Sequence, residues 1–389
     1  MTRSQRLIFL HSSDELYGAD RMLLEMVAAA TADMDVEVWL PNDLVHSATP
    51  LCEALIARNV PVRHLALPVM RRAYQNPRGL VALAVKSIRL VRLVRSARPD
   101  ALYCTTSAIL LAAPVARLAR VPRVIGHIQE IWSVSDRTLI GIPAMACHTL
   151  LSISEAVSRS LPRGLRGRTV VVPNGTPEPS HVVPMGDRSG ELVFLVASRW
   201  NAWKGHPTLL AAWDLADSPG RLVVLGGAPL IGESVDVEAL VAALERPDSV
   251  SIVGEVTEPA SHMNAADVIL MPSDAPEPFG LVAIEAFALG RPVIASAAGG
   301  LLDIVTDGAD GWLFPPRDAV ALAGVLSSLT RDSVTAAGVQ ARRTYESRFT
   351  IERFAEIWRS AVLSSPQAEK APTDWKVLQR YRRFRHWGS

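Results

Sequence analysis

The chain has 389 residues, enough for two domains at roughly 100–200 residues each. It is 49% hydrophobic and 20% charged with a formal net charge of +1, which excludes a disordered chain and gives no argument for nucleic acid. The three cysteines, Cys52, Cys104 and Cys147, are far apart, odd in number and without a C-x-x-C, so a reducing cytosol is expected, with neither a disulfide framework nor structural zinc.

At the N-terminus, RLIFLHSS reads as a strand; its four apolar residues after Arg6 are too few for a signal peptide. A helical pattern follows over Ala19–Ala32, then a strand in DVEVWLP, a helix over Arg78–Arg98 and strands in ALYCTTS and PRVIGHI. The charge-free stretch from Thr138 to Ser154 is broken by Gly141 and Pro143 and falls short of the roughly 20 apolar residues of a spanning helix. Residues 171–191, VVPNGTPEPSHVVPMGDRSGE, are rich in Pro, Gly and Ser and read as a linker. Beyond it come strands in ELVFLVAS, RLVVLGG, SVSIVG, DVILMPS and RPVIASA, with helical patterns over His206–Leu215 and Val235–Leu244. The strand runs are apolar without clean alternation, as parallel strands covered on both faces require. The expected fold is therefore α/β, with two Rossmann-like doubly wound domains facing across a cleft. Residues 1–175 form the first domain, 176–190 the linker, 191–350 the second domain and 351–389 a C-terminal helix and tail.

The densest chemistry lies in SDAPEPFGLVAIEAFALGRPVIASAAGG, residues 273–300. DAPEPFG is the loop at a strand's carboxyl end, and LVAIEAFALG is a helix stopping at Gly290. The helix N-terminus suits an anion, and Gly280 lets a ligand approach the backbone. Glu277 and Glu285 flank that N-terminus. They are either hydroxyl acceptors for a sugar, or a dipole-favouring acid and a surface glutamate. Arg199 and Lys204 follow another strand and can neutralise a diphosphate or simply face solvent. Gly226–Gly227 and Gly299–Gly300 fit both close ligand approach and ordinary turns.

The combination SRWNAWKG, MPSDAPEPFGLVAIEAFALGRPVIAS, AGGLLDIV and DGWLFPPRD resembles the retaining GT-B glycosyltransferases of the family 4 type, strongly over about residues 190–330. The resemblance implies that Arg199 and Lys204 hold the diphosphate of a nucleotide-sugar donor and stabilise its departure. It implies that Glu285 accepts from ribose hydroxyls and Glu277 from the donor sugar. Backbone groups of Phe279, Gly280, Leu281 and Val282 would contact sugar and phosphate, and the segment around Gly254 the nucleobase. In the first half, SSDELYGADRMLLEM matches the loop after the first strand and places Gly18 beside the phosphate. The family usually has two glycines there; this chain has Tyr17–Gly18. VIGHIQEIW matches the segment that carries a histidine toward the sugar, which points to His127 with Glu130 as its neighbour. The resemblance further implies retention of anomeric configuration with no protein nucleophile, and with Arg199 and Lys204 supplying the charge, no metal and no cofactor beyond the nucleotide sugar as co-substrate is expected.

The acceptor is expected to be a saccharide or a lipid-linked one, in bacterial polysaccharide or glycolipid synthesis. Residues 79–99 carry Lys86, Arg89, Arg92, Arg95 and Arg98, spaced so that they drift around a helix, with Arg71 and Arg72 nearby. The C-terminal KAPTDWKVLQRYRRFRHWGS interleaves basic and aromatic residues. Both features fit peripheral contact with the inner face of the cell membrane as well as ordinary packing. ERFAEIWRSAVLSS fits a C-terminal helix crossing back onto the first domain. A GT-B nucleotide-sugar epimerase and a non-catalytic nucleotide-sugar-binding protein are the alternative functions. A dehydrogenase is disfavoured because no G-x-G-x-x-G follows the first strand.

Overall fold

The computed structural model describes residues 4–43, 49–71, 74, 76–185, 190–229 and 233–363. The tail from 364 onward, with its basic and aromatic residues, lies outside the described residues, as does Arg72.

Two parallel sheets are present. The first holds β1 (Gln5–Leu10), β2 (Met34–Pro41), β3 (Val62–Leu65), β4 (Ala101–Cys104), β5 (Arg123–Ile128), β6 (Thr149–Ser152) and β7 (Thr169–Val171), in the order β3-β2-β1-β4-β5-β6-β7. The second holds β8 (Val193–Ala197), β9 (Arg221–Leu225), β10 (Val250–Gly254), β11 (Val268–Met271), β12 (Val293–Ser296) and β13 (Gly311–Phe314), in the order β10-β9-β8-β11-β12-β13. All named pairings are parallel. The apolar strand runs are explained by burial on both faces: Leu7, Ile8, Phe9 and Leu10 of β1 are all sealed from solvent. In each sheet the chain order reverses once, between β1 and β4 and between β8 and β11. Ligands of open α/β sheets bind beyond the strand ends at such switch points.

The halves are joined by two strand-like crossings that run side by side. Thr176 bridges Thr350, and a Cβ at Gly175 would sit 2.6 Å from the Thr350 carbonyl oxygen. Beyond Thr350 the chain returns to the first half. Helix Ile351–Leu363 lies against helix Gly18–Thr31 and buries Phe354, Trp358 and Val362 in the first domain's core. The expectation of a C-terminal helix crossing back is thus what the structure shows.

Among the described residues, no helix is long and apolar enough to cross a membrane. Helix Pro77–Ala97 leaves Leu80, Val81, Val85 and Ile88 exposed while Leu90, Val91 and Val94 are buried. Two of the basic residues of this region are engaged by an acid. Arg71 and Lys86 both pair with Asp43, at 2.8 and 3.0 Å, because a half-buried carboxylate needs cations. Burial would raise the Asp43 pKa, but hydrogen bonds from Arg71, Lys86 and Tyr74 outweigh it and hold the carboxyl well below the usual range.

Candidate active site

A cavity of about 490 Å³ opens where the two sheets' switch points face each other. Leu16–Gly18 reach it from the loop after β1, Arg199 and Lys204 from the loop after β8, and Glu277–Val282 from the loop after β11. Helices Gly18–Thr31 and Leu281–Ala288 both begin at this cavity. Their first-turn N–H groups have no intrahelical acceptors, so two positive helix ends converge on one space. A Cβ at Gly18 would lie 2.9 Å from Leu281 Cδ1, so the small residue lets the two helix starts approach. Gly280 precedes the second helix with φ +123°, a conformation that favours glycine.

Glu277 is buried, and the structure shows how that is tolerated. Lys204 Nζ donates to its Oε1 at 2.6 Å, and Ser273 Oγ donates to the same oxygen at 2.7 Å. The other ends of both loops are fixed by glycines. At Gly205, φ +76°, a Cβ would fall 1.9 Å from the Pro272 carbonyl oxygen. At Gly299, φ +65°, it would fall 2.1 Å from that of Glu277, while Gly300 N–H donates to the same oxygen at 2.7 Å. Gly299 therefore packs on the backbone of Glu277. The sequence suggests two free cations; one of them, Lys204, is engaged because a buried carboxylate requires it. An ammonium has three N–H donors, so Lys204 can hold Glu277 and still reach an anion.

Arg199 has no carboxylate partner among the described residues. Its guanidinium lies 4.2 Å from the ring centroid of Tyr17, which belongs to the other half. One turn along the same helix, Arg21 Nη1 stands 3.7 Å from Glu285 Oε1. Burial raises the Glu285 pKa, opposed by Arg21. Glu285 lies between the main cavity and an adjoining chamber of about 330 Å³ that contains Leu225, Gly226, Glu255 and Val256. Gly254 does not line this chamber. It ends β10 with φ +89°, and its carbonyl accepts from Gly226 N–H at 2.7 Å, so its two successors face the space instead.

His127 is placed elsewhere than expected. It lies within β5, sealed from solvent, and does not line the cavity. Trp358 Nε1 donates to the Tyr103 hydroxyl at 2.9 Å, and that hydroxyl meets His127 Nδ1 at 3.0 Å. Burial lowers the His127 pKa to about 3, so the ring is neutral at pH 7. The register of β5 turns its side chain toward the C-terminal helix. Glu130, two residues past the strand end, is what reaches the cavity. It is open to the cleft, yet crowding by protein raises its pKa against hydrogen bonds from the Ser107 and Gln129 N–H groups.

The sequence reading did not single out Tyr17 and Arg21 as cross-cleft contacts, nor Ser273, Asn174 and Ser154. Asn174 lines the cavity with its Oδ1 buried and without a partner among the described residues. Ser154 Oγ donates to the Pro278 carbonyl at 2.6 Å, tying the first half to the loop before the second helix. Of these only Asn174, in the turn sequence PNG, carries a local signal.

Residues 183–346 match the family described as glycosyl transferases group 1. The chain is 38% identical over 165 residues to a D-inositol 3-phosphate glycosyltransferase of Xylanimonas cellulosilytica, covering 42% of this chain and 38% of that one. It is 31% identical over 131 residues to a phosphatidyl-myo-inositol mannosyltransferase of Mycobacterium leprae, covering 32% and 35%. These matches span little more than a third of the relatives' own length. The fold resembles that of HepE from Anabaena, crystallised with UDP, with a TM-score of 0.77 at 21% identity over 92% of this chain and all of that one. With two doubly wound sheets meeting at a cleft, the chain has the GT-B fold, and its residues 183–346, which supply the loops after β8 and β11, match the glycosyl transferases group 1 family.

Proposed function

We propose that the chain is a retaining glycosyltransferase that moves a sugar from a nucleotide-diphosphate sugar to a saccharide or lipid-linked acceptor without a metal. The observation that carries this is the convergence of two helix N-termini and Arg199 on one cavity, with Glu277 and Glu285 on either side. A diphosphate fits the positive centre, and hydroxyl-bearing groups fit the two carboxylates. The adjoining chamber beyond Glu285 supports a reading in which it takes the base, with the ribose beside Glu285 and the donor sugar beside Glu277.

The acceptor hydroxyl attacks C1 from the face that the leaving phosphate occupies. The C1–O bond to phosphate breaks, the new C1–O bond forms, and the acceptor's proton passes to the departing phosphate oxygen. Arg199, the spare donors of Lys204 and the helix ends stabilise the growing negative charge, which supplies the cationic role a metal would otherwise take. The Arg21–Glu285 contact is open to water and worth only about 0–1 kcal/mol, so ribose hydroxyls can replace it.

A lipid-linked acceptor is supported by the exposed Val81, Val85 and Ile88, one helical face bordered by Arg89 and Arg92. Bacterial polysaccharide or glycolipid synthesis at the inner face of the membrane is the matching setting.

The test is thermal-shift screening with UDP, GDP and ADP sugars, followed by NMR of the product. A ligand at 100 times its Kd adds about 2.7 kcal/mol of stability. A shift with one nucleotide class, transfer that survives EDTA, and a product of unchanged anomeric configuration are expected. No shift with any of them sinks the donor assignment; conversion of the nucleotide sugar without an acceptor points to an epimerase.

A further inference from the structure

Outside the cleft, three side chains from three separate elements converge. Asp14 lies in the loop after β1, Cys52 in helix Pro50–Ala57 and His64 in β3. One ligand-type atom from each, a carboxylate oxygen, a sulfur and a ring nitrogen, lies within 4.8 Å of the other two. Asp14 Oδ2 is 2.9 Å from His64 Nε2, and Asp14 Oδ1 accepts from the Cys52 backbone N–H at 2.9 Å. Asp14 and Cys52 are buried, whereas the His64 side chain is 40% exposed and gives the group an opening to solvent.

We propose that Asp14, Cys52 and His64 form a binding site for a borderline divalent cation of the Zn²⁺ or Co²⁺ class, with solvent in a fourth position. The mixed oxygen, sulfur and nitrogen set selects such a metal over Mg²⁺ or Ca²⁺, which prefer oxygen alone. Tetrahedral ligands at about 2.0–2.3 Å from zinc stand about 3.3–3.7 Å apart. From the 2.9 Å of the Asp14–His64 pair and the 4.8 Å limit on the group, that pair needs to open by roughly half an ångström and the sulfur to move in by at most about 1.5 Å, within the reach of side-chain rotation. Asp14 can ligate through Oδ2 and keep its Oδ1 bond to the Cys52 N–H, an outer bond that fixes the carboxylate's orientation. The thiol gives up its proton to solvent as the metal–sulfur bond forms, and His64 carries its proton on Nδ1 so that Nε2 can bind. The residues are 38 and 50 positions apart, so no sequence spacing reveals the group. Asp14 stands in the loop that ends at Leu16–Gly18 on the cavity, so a bound metal would tether that loop to β3 and helix Pro50–Ala57.

The full chain, stripped with EDTA and then titrated with Co²⁺, tests this. Expected are one cobalt per chain and a thiolate-to-cobalt charge-transfer band, together with a rise in Tm on adding Zn²⁺. Cys52→Ser should abolish the band. His64→Gln, at an exposed position that does not threaten folding, should weaken Co²⁺ binding by at least about tenfold, with far-UV dichroism unchanged. Absence of a sulfur band, a band that persists in Cys52→Ser, or affinity unaltered in a folded His64→Gln chain each overturns the site and leaves Asp14–His64 as a hydrogen bond that anchors the loop.

Discussion

Lys204 Nζ and Glu277 Oε1 meet at 2.6 Å on the wall of the cleft, joining the loop after β8 to the loop after β11. The pair makes each residue's role dependent on the other. Lys204→Ala leaves Glu277 buried with only Ser273 as a donor, which costs about 1–3 kcal/mol of stability. It also removes a cation from the leaving group, a loss of about 10²–10³-fold in turnover. Adding Glu277→Gln to Lys204→Ala should recover part of the stability and none of the turnover. Urea unfolding and a transfer assay on the three variants separate the two effects. Equal stability of Lys204→Ala and the parent chain would refute the structural half of this argument.

The position of Glu277 also rests on Gly299. A Cβ there meets the Glu277 carbonyl at 2.1 Å, and φ is +65°. Gly299→Ala therefore combines backbone strain of about 1–3 kcal/mol with a displaced Glu277. Gly308 has a similar φ of +71° with nothing near its would-be Cβ, so Gly308→Ala carries the conformational strain alone. The expected result is a mild loss of stability in Gly308→Ala with normal donor KM, against a larger loss and a raised KM in Gly299→Ala. Matching behaviour of the two variants would show that Gly299 serves only its own turn.

Trp358 is sealed from solvent against Phe9 and Tyr103 although it lies in the last described helix. Trp358→Ala should cost about 3–5 kcal/mol through the cavity it leaves in the first domain. Trp358→Phe keeps most of the packing and loses the N–H bond to Tyr103, a smaller cost of about 1 kcal/mol. Unfolding followed by a probe in each half would place the loss in the first domain. A loss confined to the second half would contradict the crossing helix.

The sequence makes the alternation of apolar strands and helices plain because burial on both faces leaves so strong a pattern. It misses β3, β6, β7 and β13, which are only three or four residues long and have little room for periodicity. In the site, Arg199, Lys204, Glu277 and Glu285 are legible since each sits in a loop or helix start whose type the local sequence dictates. Their pairing is not. Whether Lys204 is free depends on the burial of a residue 73 positions away, and nothing local encodes that distance. His127 fails for a related reason: the strand that carries it is evident, but which face it turns to depends on the helix that arrives more than 200 residues later.

That burial makes His127 a test of the whole arrangement. Its pKa is lowered to about 3 by burial, and that of His206 to about 4 by burial and then by Lys204. Both imidazoles are near 6.5 in the unfolded chain. Between the folded and unfolded values the unfolded chain binds protons that the folded chain does not, so stability rises with pH in this window. It is complete above about pH 6.5 and falls as acid is added, at up to about 1.4 kcal/mol per pH unit for each histidine. Glu130 and Glu285, whose pKa values are raised, act in the opposite sense, but they do so in parent and variant alike. His127→Gln should therefore have a shallower fall in urea midpoint from pH 7 to pH 5 than the parent chain. Its transfer activity should stay near the parent's at pH 7, because the ring does not touch the cavity. An undiminished pH slope would mean that His127 is not buried as described. A folded variant with a loss of turnover of about 10²-fold or more would mean that the ring reaches the reacting groups after all.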